Sequence, residues 1–155
     1  MDKTHIHDQK SSENFAHHLV NLRFPYMNLL NTNDDDDDLC SKKKKNIIFF
    51  FSRILNEEED KITSELLKFY NNNQPKLLEE EIDVIAISTQ KIVQLKTISK
   101  NLNLKYSLYS DYKYELKTAL NAPIYLMNGY AYYKNFSILI IDNIITEVHY
   151  PVYSF

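Results

Sequence analysis

A chain of 155 residues, 44% of them hydrophobic, is long enough to bury one domain core, and its composition excludes a disordered polymer. A formal net charge of −3 is too small to draw the protein to nucleic acid or to an anionic membrane. A single cysteine excludes an internal disulfide framework and any multi-cysteine metal site, and it fits a reducing compartment.

Residues 1–20 are polar and His-rich and read as a flexible tail ahead of a single domain over 21–155. The opening residues lack the apolar core of a secretory signal, and no apolar run approaches the ~20 residues of a membrane span. The expectation is a cytoplasmic protein with no membrane and no nucleic-acid partner. His5, His7, His17 and His18 are metal-ligand types, but tail histidines at such spacing are usually solvated, so no metal is expected. Leu22 to Leu30 is apolar enough to pack on the domain edge. Residues 31–45 form a low-complexity loop in which Asp34 to Asp38, Leu39-Cys40 and Lys42 to Lys45 follow one another. The acidic run lacks the alternating ligands and the Gly of a calcium loop and reads as a solvated spacer.

Asn46 to Phe51 is a short aromatic and β-branched run, the signature of a buried central strand. Asn56-Glu57-Glu58-Glu59 predicts a helix start capped by Asn56. That helix is expected to reach Tyr70 with Ile62, Leu66 and Phe69 inward, and to end at Asn71 to Asn73 and Pro75. Ile82 to Ser88 predicts a second buried strand. Lys91 to Leu102 predicts an amphipathic helix with Val93, Ile98 and Leu102 inward. Tyr106 to Tyr109 reads as a short strand, and Asp111 to Leu120 as a helix capped by Ser110 or Asp111. Ile124 to Leu126 continues as strand or turn, and Gly129 marks a tight turn. Two apolar runs, Phe136 to Ile141 and Ile144 to Val148, are hinged at Asp142-Asn143 as a closing hairpin. With one glycine in the chain, such reversals must fall largely on Asn and Asp. Strands alternating with helices and followed by an antiparallel hairpin give an α/β fold with a mixed sheet.

Three phrases carry a resemblance. IDVIAISTQ resembles a strand ending in "GLSTQ", and LKYSLYSDYKYELKTAL resembles "LPFPLLSDxxxxLAxAL". NGYAYYKNFSILIIDNIITEVHYPVYSF resembles "xGMRLYKRLTLIIRDGxIxxVFYPVFPP" without a gap. Together they resemble the peroxiredoxins of the alkyl hydroperoxide reductase and thiol-specific antioxidant family, from Leu22 to Phe155 and most closely from Ile82 onward. The resemblance implies a thioredoxin-like fold, a central mixed β-sheet flanked by helices with a C-terminal β-hairpin. The family phrase continues into a C-terminal helix; the expectation is that this helix is missing here and an apolar face left uncovered.

The family's peroxidatic Cys sits in the first turn of the helix after the first core strand, where helix N-terminus and a nearby Arg stabilise the thiolate. Branch members read "GCTPQSCAF" there, and this chain reads KITSELLKF. Thr63 and Phe69 match, but Ile62 stands at the peroxidatic position and Leu67 at the resolving one. Ile62 is expected to fill the old cysteine site as core. "YPR" at the strand exit becomes Phe51-Ser52-Arg53, so Arg53 is retained. The activating Arg before "RLT" is matched by Asn135. Glu57 to Asp60 would also raise a thiol pKa at this helix start. The resemblance therefore implies a redoxin scaffold that has lost peroxidase chemistry, with no catalytic residue expected, no cofactor, and action by binding to itself or to an active peroxiredoxin. The alternative is a thiol peroxidase working through Cys40, beside Lys42 to Lys45. His149, on the last strand, has the chemistry of a base but no nucleophile beside it in the pattern. Tyr106, Tyr109, Tyr112, Tyr114, Tyr130, Tyr132 and Tyr133 divide between core and a possible sticky surface.

Overall fold

The structure is a computed structural model and describes residues 16–39, 44–56 and 58–150. Nine strands are present in it: β1 Asn28–Asn31, β2 Asp36–Asp38, β3 Lys45–Phe50, β4 Ile82–Ser88, β5 Leu108–Ser110, β6 Ile124–Met127, β7 Tyr130–Tyr133, β8 Phe136–Ile141 and β9 Ile144–His149. Three α-helices join them: α1 Lys61–Glu79, α2 Ile92–Asn101 and α3 Glu115–Leu120. Seven strands form one mixed sheet in the order β2-β1-β5-β4-β3-β8-β9, while β6 and β7 make a separate hairpin. β3, β4 and β5 are parallel, joined through α1 and α2; β8 runs antiparallel to β3. This is the α/β, thioredoxin-like arrangement that the strand and helix alternation implies, with the C-terminal hairpin in place.

The run of β3 explains why the sheet is buried on both faces. Phe50 points into one apolar cluster with Tyr133, Phe136, Leu116 and Leu120. Phe49 and Phe51 point into the other with Leu66, Leu67, Tyr70 and Leu95. All three phenylalanines are fully buried, as the period-2 pleat requires of a strand with helices or hairpins on either side.

The reversals fall where a chain with one glycine must put them. Asn128-Gly129 closes β6–β7 and Asp142-Asn143 closes β8–β9. All four residues have positive φ, the geometry of a two-residue hairpin turn that matches strand twist. Asn21, Asp34, Asn103 and Asn121 take positive φ at other bends.

Several expectations need correction. The segment 1–20 is not all tail: residues 1–15 lie outside the described residues, but Ala16 and Leu19 are fully buried beside a 3-10 turn at His17–Leu19. His18 Nε2 lies 2.8 Å from the Leu120 carbonyl. The segment 31–45 is not all loop. Asp36–Asp38 pairs antiparallel with β1, because strand pairing uses backbone groups that any side chain leaves free. Asn31 Oδ1 accepts the Asn33 and Asp35 amides (2.8 and 3.2 Å) and so builds the turn between them. Carboxylates on this edge strand also discourage pairing with another chain.

The first helix starts later and runs further than the cap pattern predicts. Asn56 Oδ1 accepts the Glu58 amide at 2.8 Å, closing a turn rather than a helix. The Asp60 carboxylate then reaches back to the Leu55 and Asn56 amides at 2.9 and 3.2 Å. One isolated helical bond, Asp60 N to the Asn56 carbonyl at 2.8 Å, precedes the regular helix, which starts at Lys61 with the Asp60 carbonyl accepting Ser64 N at 3.0 Å. Pro75 does not stop it and lies inside α1. The inward face is Leu66, Leu67 and Tyr70, while Ile62 is 55% and Phe69 37% exposed. On α2, Leu95 and Ile98 are buried and Val93 faces solvent. α3 begins at Glu115 rather than Asp111.

α1 and α2 cover the β3–β4–β5 part of one sheet face. Beside them, α1 and the β8–β9 hairpin flank a groove of about 710 Å³, whose apolar wall includes Ile47, Phe69, Leu77 and Leu139. Lys76 and Glu147 are among the charged residues that line it. Among the described residues no helix is long and apolar enough to cross a membrane.

Candidate functional site

In an open α/β sheet, ligands bind outside the carboxyl ends of the parallel strands. Here that edge is made by Ser52, Arg53 and Ile54 after β3, by Thr89 and Gln90 after β4, by the first turn of α1, and by the β7–β8 corner that carries Asn135.

Asn135 uses both ends of its amide. Its Oδ1 accepts the Ser52 backbone N–H at 2.7 Å, and its Nδ2 donates to Thr63 Oγ1 at 3.0 Å. One neutral side chain thus pins the exit of β3 to the first turn of α1. The Ser52 hydroxyl lies 2.6 Å from the Tyr125 hydroxyl. Arg53 sits over the Tyr132 ring at 5.4 Å, and that ring packs 5.7 Å from Tyr125. Below them the buried Gln90 mimics a strand partner: its Oε1 accepts Ile54 N at 2.9 Å and its Nε2 donates to Ile54 O at 2.8 Å. Thr89 Oγ1 donates to Ala131 O at 2.6 Å, fastening β7 to the same corner.

The sequence-derived positions are brought together only in part. Thr63, not Ile62, meets Asn135; the two differ by one residue, about 100° around a helix, and Ile62 turns to solvent instead of filling a core position. Leu67 is fully buried among apolar neighbours. Arg53 is present at the edge. Tyr125 carries no signal in the sequence; Ser52 and Gln90 enter only within the Phe51-Ser52-Arg53 and STQ phrases, and Tyr132 only among the tyrosines divided between core and surface. Cys40, Lys42 and Glu57 lie outside the described residues, as do His5 and His7. Leu39 lines a polar pocket with Asn46, at the start of β3. Asn46 and Ser52 are six strand residues apart, about 20 Å. His149 is exposed, 3.9 Å from Glu147. Among the described residues no three His, Cys, Asp or Glu side chains gather as a metal site would need. Of the tyrosines, Tyr106, Tyr109 and Tyr133 are core, whereas Tyr112 and Tyr130 are exposed.

Solved structures with the same architecture settle the fold. BcpB, a peroxidoxin from Mycobacterium tuberculosis, superposes with a TM-score of 0.72 at 13% identity, covering 83% of each chain. A cysteine-to-serine mutant of PrxQ from Xylella fastidiosa gives 0.72 at 13% identity over 84% of each chain. The fold is that of a peroxiredoxin. A cysteine-to-serine mutant of peroxiredoxin 6 from Arenicola marina matches at 0.70 and 14% identity, over 83% of this chain and 63% of that one. No family model and no curated protein matches the sequence. On this peroxiredoxin fold, Asn135 and Thr63 close the strand-exit corner with a hydrogen bond between two neutral side chains.

The Asn135 pin has a measurable weight. Asn135→Ala leaves the Ser52 amide and the Thr63 hydroxyl without this partner, so it should cost about 1–3 kcal/mol. At about 2–4 °C per kcal/mol for a domain of this size, a calorimetric Tm is expected to fall by about 2–12 °C.

Proposed function

We propose that this protein is a peroxiredoxin-fold pseudoenzyme that acts by binding, to a second copy of itself or to an active peroxiredoxin. One observation carries the reading. At the corner where the family resemblance expects a thiolate and an activating cation, a neutral Asn135–Thr63 hydrogen bond fastens the loop to the helix. Nucleophilic attack on a peroxide needs a thiolate stabilised by positive charge, and neither group of that pin supplies sulfur or charge. The groove between α1 and the β8–β9 hairpin supports a binding role, since apolar concave surface beside polar rims is the material of interfaces. The proposed location is the cytoplasm, whose reducing conditions suit a chain with a single cysteine.

The test is peroxide consumption by purified protein with a dithiol donor. The expected rate equals that of donor alone, and Cys40→Ser leaves it unchanged. Turnover well above donor alone that disappears in Cys40→Ser would replace this reading with a Cys40-dependent peroxidase. Size-exclusion chromatography with light scattering, alone and mixed with an active peroxiredoxin, reads the binding half of the proposal.

A further inference from the structure

The acidic run that leads into β2 has no part in the Asn135 corner. Thr32-Asn33 is followed without interruption by Asp34 to Asp38, and no other serine or threonine in the chain has such a run starting two residues after it. Thr32 lies in the β1–β2 turn and is half-buried, while Asp34, Asp35 and Asp36 are exposed. The Thr32 hydroxyl accepts the Leu108 amide through a long bond of 3.3 Å, and the Thr32 amide donates to the Leu108 carbonyl at 3.0 Å. Leu108 opens β5, so Thr32 sits at the opposite end of the parallel strands from the Asn135 corner.

A pocket of about 330 Å³ is lined by Thr32, by the C-terminal half of α2 and by the residues that approach β5. Lys96, Lys100 and Lys105 all line it, and among the described residues no carboxylate does. Lys96 is paired with Asp34 at 2.5 Å, an exposed bridge of the kind that contributes little to stability. Lys100 and Lys105 have no ion-pair partner among the described residues. Ser99 and Ser107 add hydroxyls to the same walls. Three lysines thus share one pocket with the one threonine that precedes the acidic run.

We propose that Thr32 is a phosphorylation site for an acid-directed protein kinase, and that the pocket of Lys96, Lys100 and Lys105 receives the phosphate. Kinases select substrates by charge pattern, and the exposed carboxylates after Thr32 match a basic substrate groove. In the transfer, Thr32 Oγ1 bonds to the γ-phosphorus of ATP and the bond from that phosphorus to the β,γ-bridging oxygen breaks. ADP leaves, and the hydroxyl proton passes to the kinase's carboxylate base. β2 is an edge strand of three residues, so opening the turn for the kinase breaks few pairs. Once attached, a phosphate carrying nearly two negative charges competes with the Asp34 carboxylate for Lys96 and engages the two unpaired lysines. The site lies far from the Asn135 corner, so it does not depend on whether the protein turns over peroxide.

The experiment incubates the full-length protein with ATP and an acid-directed kinase, casein kinase II, first shown to be active on casein. Peptide mass spectrometry should place one phosphoryl group on Thr32. Thr32→Val should abolish the transfer and Thr32→Ser should restore it, which separates loss of the hydroxyl from loss of the fold. Asp34→Asn combined with Asp35→Asn should slow the transfer at least about tenfold, because charged contacts to the kinase are lost. Phosphorus NMR of the product reads the pocket. The phosphate should titrate at lower pH in the otherwise unaltered chain than in Lys100→Ala combined with Lys105→Ala, since the lysines favour the dianion and the Asp run is common to both. Transfer to another residue in place of Thr32, or no transfer to the folded protein, overturns the inference. So does a transfer rate unchanged by the two Asp substitutions, or a phosphate titration unchanged by the two Lys substitutions.

Discussion

Asp111→Ala is expected to lower stability by about 3–5 kcal/mol, the larger end of what single substitutions do. Asp111 is 1% exposed. Its carboxylate accepts the Tyr133 hydroxyl at 2.6 Å, Leu116 N at 3.0 Å and Lys117 N at 2.8 Å. It therefore caps α3 from four residues upstream of Glu115 and ties that helix to β7. Alanine strands three donors at once, two of them buried. At about 2–4 °C per kcal/mol, a calorimetric Tm should fall by about 6–20 °C.

Burial raises the Asp111 pKa above its ordinary 3.8, more than the Tyr133 hydroxyl and the two amides lower it. The folded state thus holds this proton more tightly than the unfolded state. Its favourable contribution is complete below pH 3.8 and is lost as pH rises through the folded value. Urea unfolding across that window should show the advantage of wild type over Asp111→Asn shrinking as pH rises. A constant difference would mean that the carboxyl does not titrate in the folded protein as its burial requires.

Phe50→Ala is the second large effect. Phe50 is fully buried, stacked on Phe136 at 4.3 Å with 3° between the planes, and edge-on to Tyr133 at 5.0 Å. It joins β3, β7 and β8 in one aromatic cluster. Truncation leaves a cavity that rigid strands cannot close, costing about 3–5 kcal/mol. Denaturant midpoints should fall accordingly with unchanged m. The same change at Phe69, 37% exposed beside the groove, should cost far less. Equal losses at both would contradict the placement of the core.

The hairpin β8–β9 was legible to the residue at three of its four ends, because two apolar runs and an Asp-Asn turn leave one register. The β3 and β4 runs were legible for a related reason: a central strand must be apolar on both faces. α1 was misread at both ends. Asn56 has the chemistry of a cap, but its side chain closes a turn on the Glu58 amide while the Asp60 carboxylate holds the Leu55 and Asn56 amides, so the regular helix starts only at Lys61; Pro75 reads as a terminator, yet packing of Leu77 carries the helix past it. The Asp run looked structureless because its side chains carry no pattern, whereas its pairing with β1 uses only backbone. At the candidate site, Asn135 and Thr63 were in view as positions, but their hydrogen bond was not. It depends on helix phase, and phase is lost when a start is misplaced by a few residues. Ser52 and Tyr125 meet across 73 residues of chain, a contact no local pattern encodes.

The near-absence of glycine reaches beyond the native turns. Seven Asn and Asp residues hold the left-handed bends that glycine would hold elsewhere, joined by Glu81 and Tyr114. Each accepts local strain, yet each also restricts the denatured ensemble more than glycine would. The chain gives up less backbone freedom at these bends as it closes them, so its reversals are partly prepaid before any strand has paired.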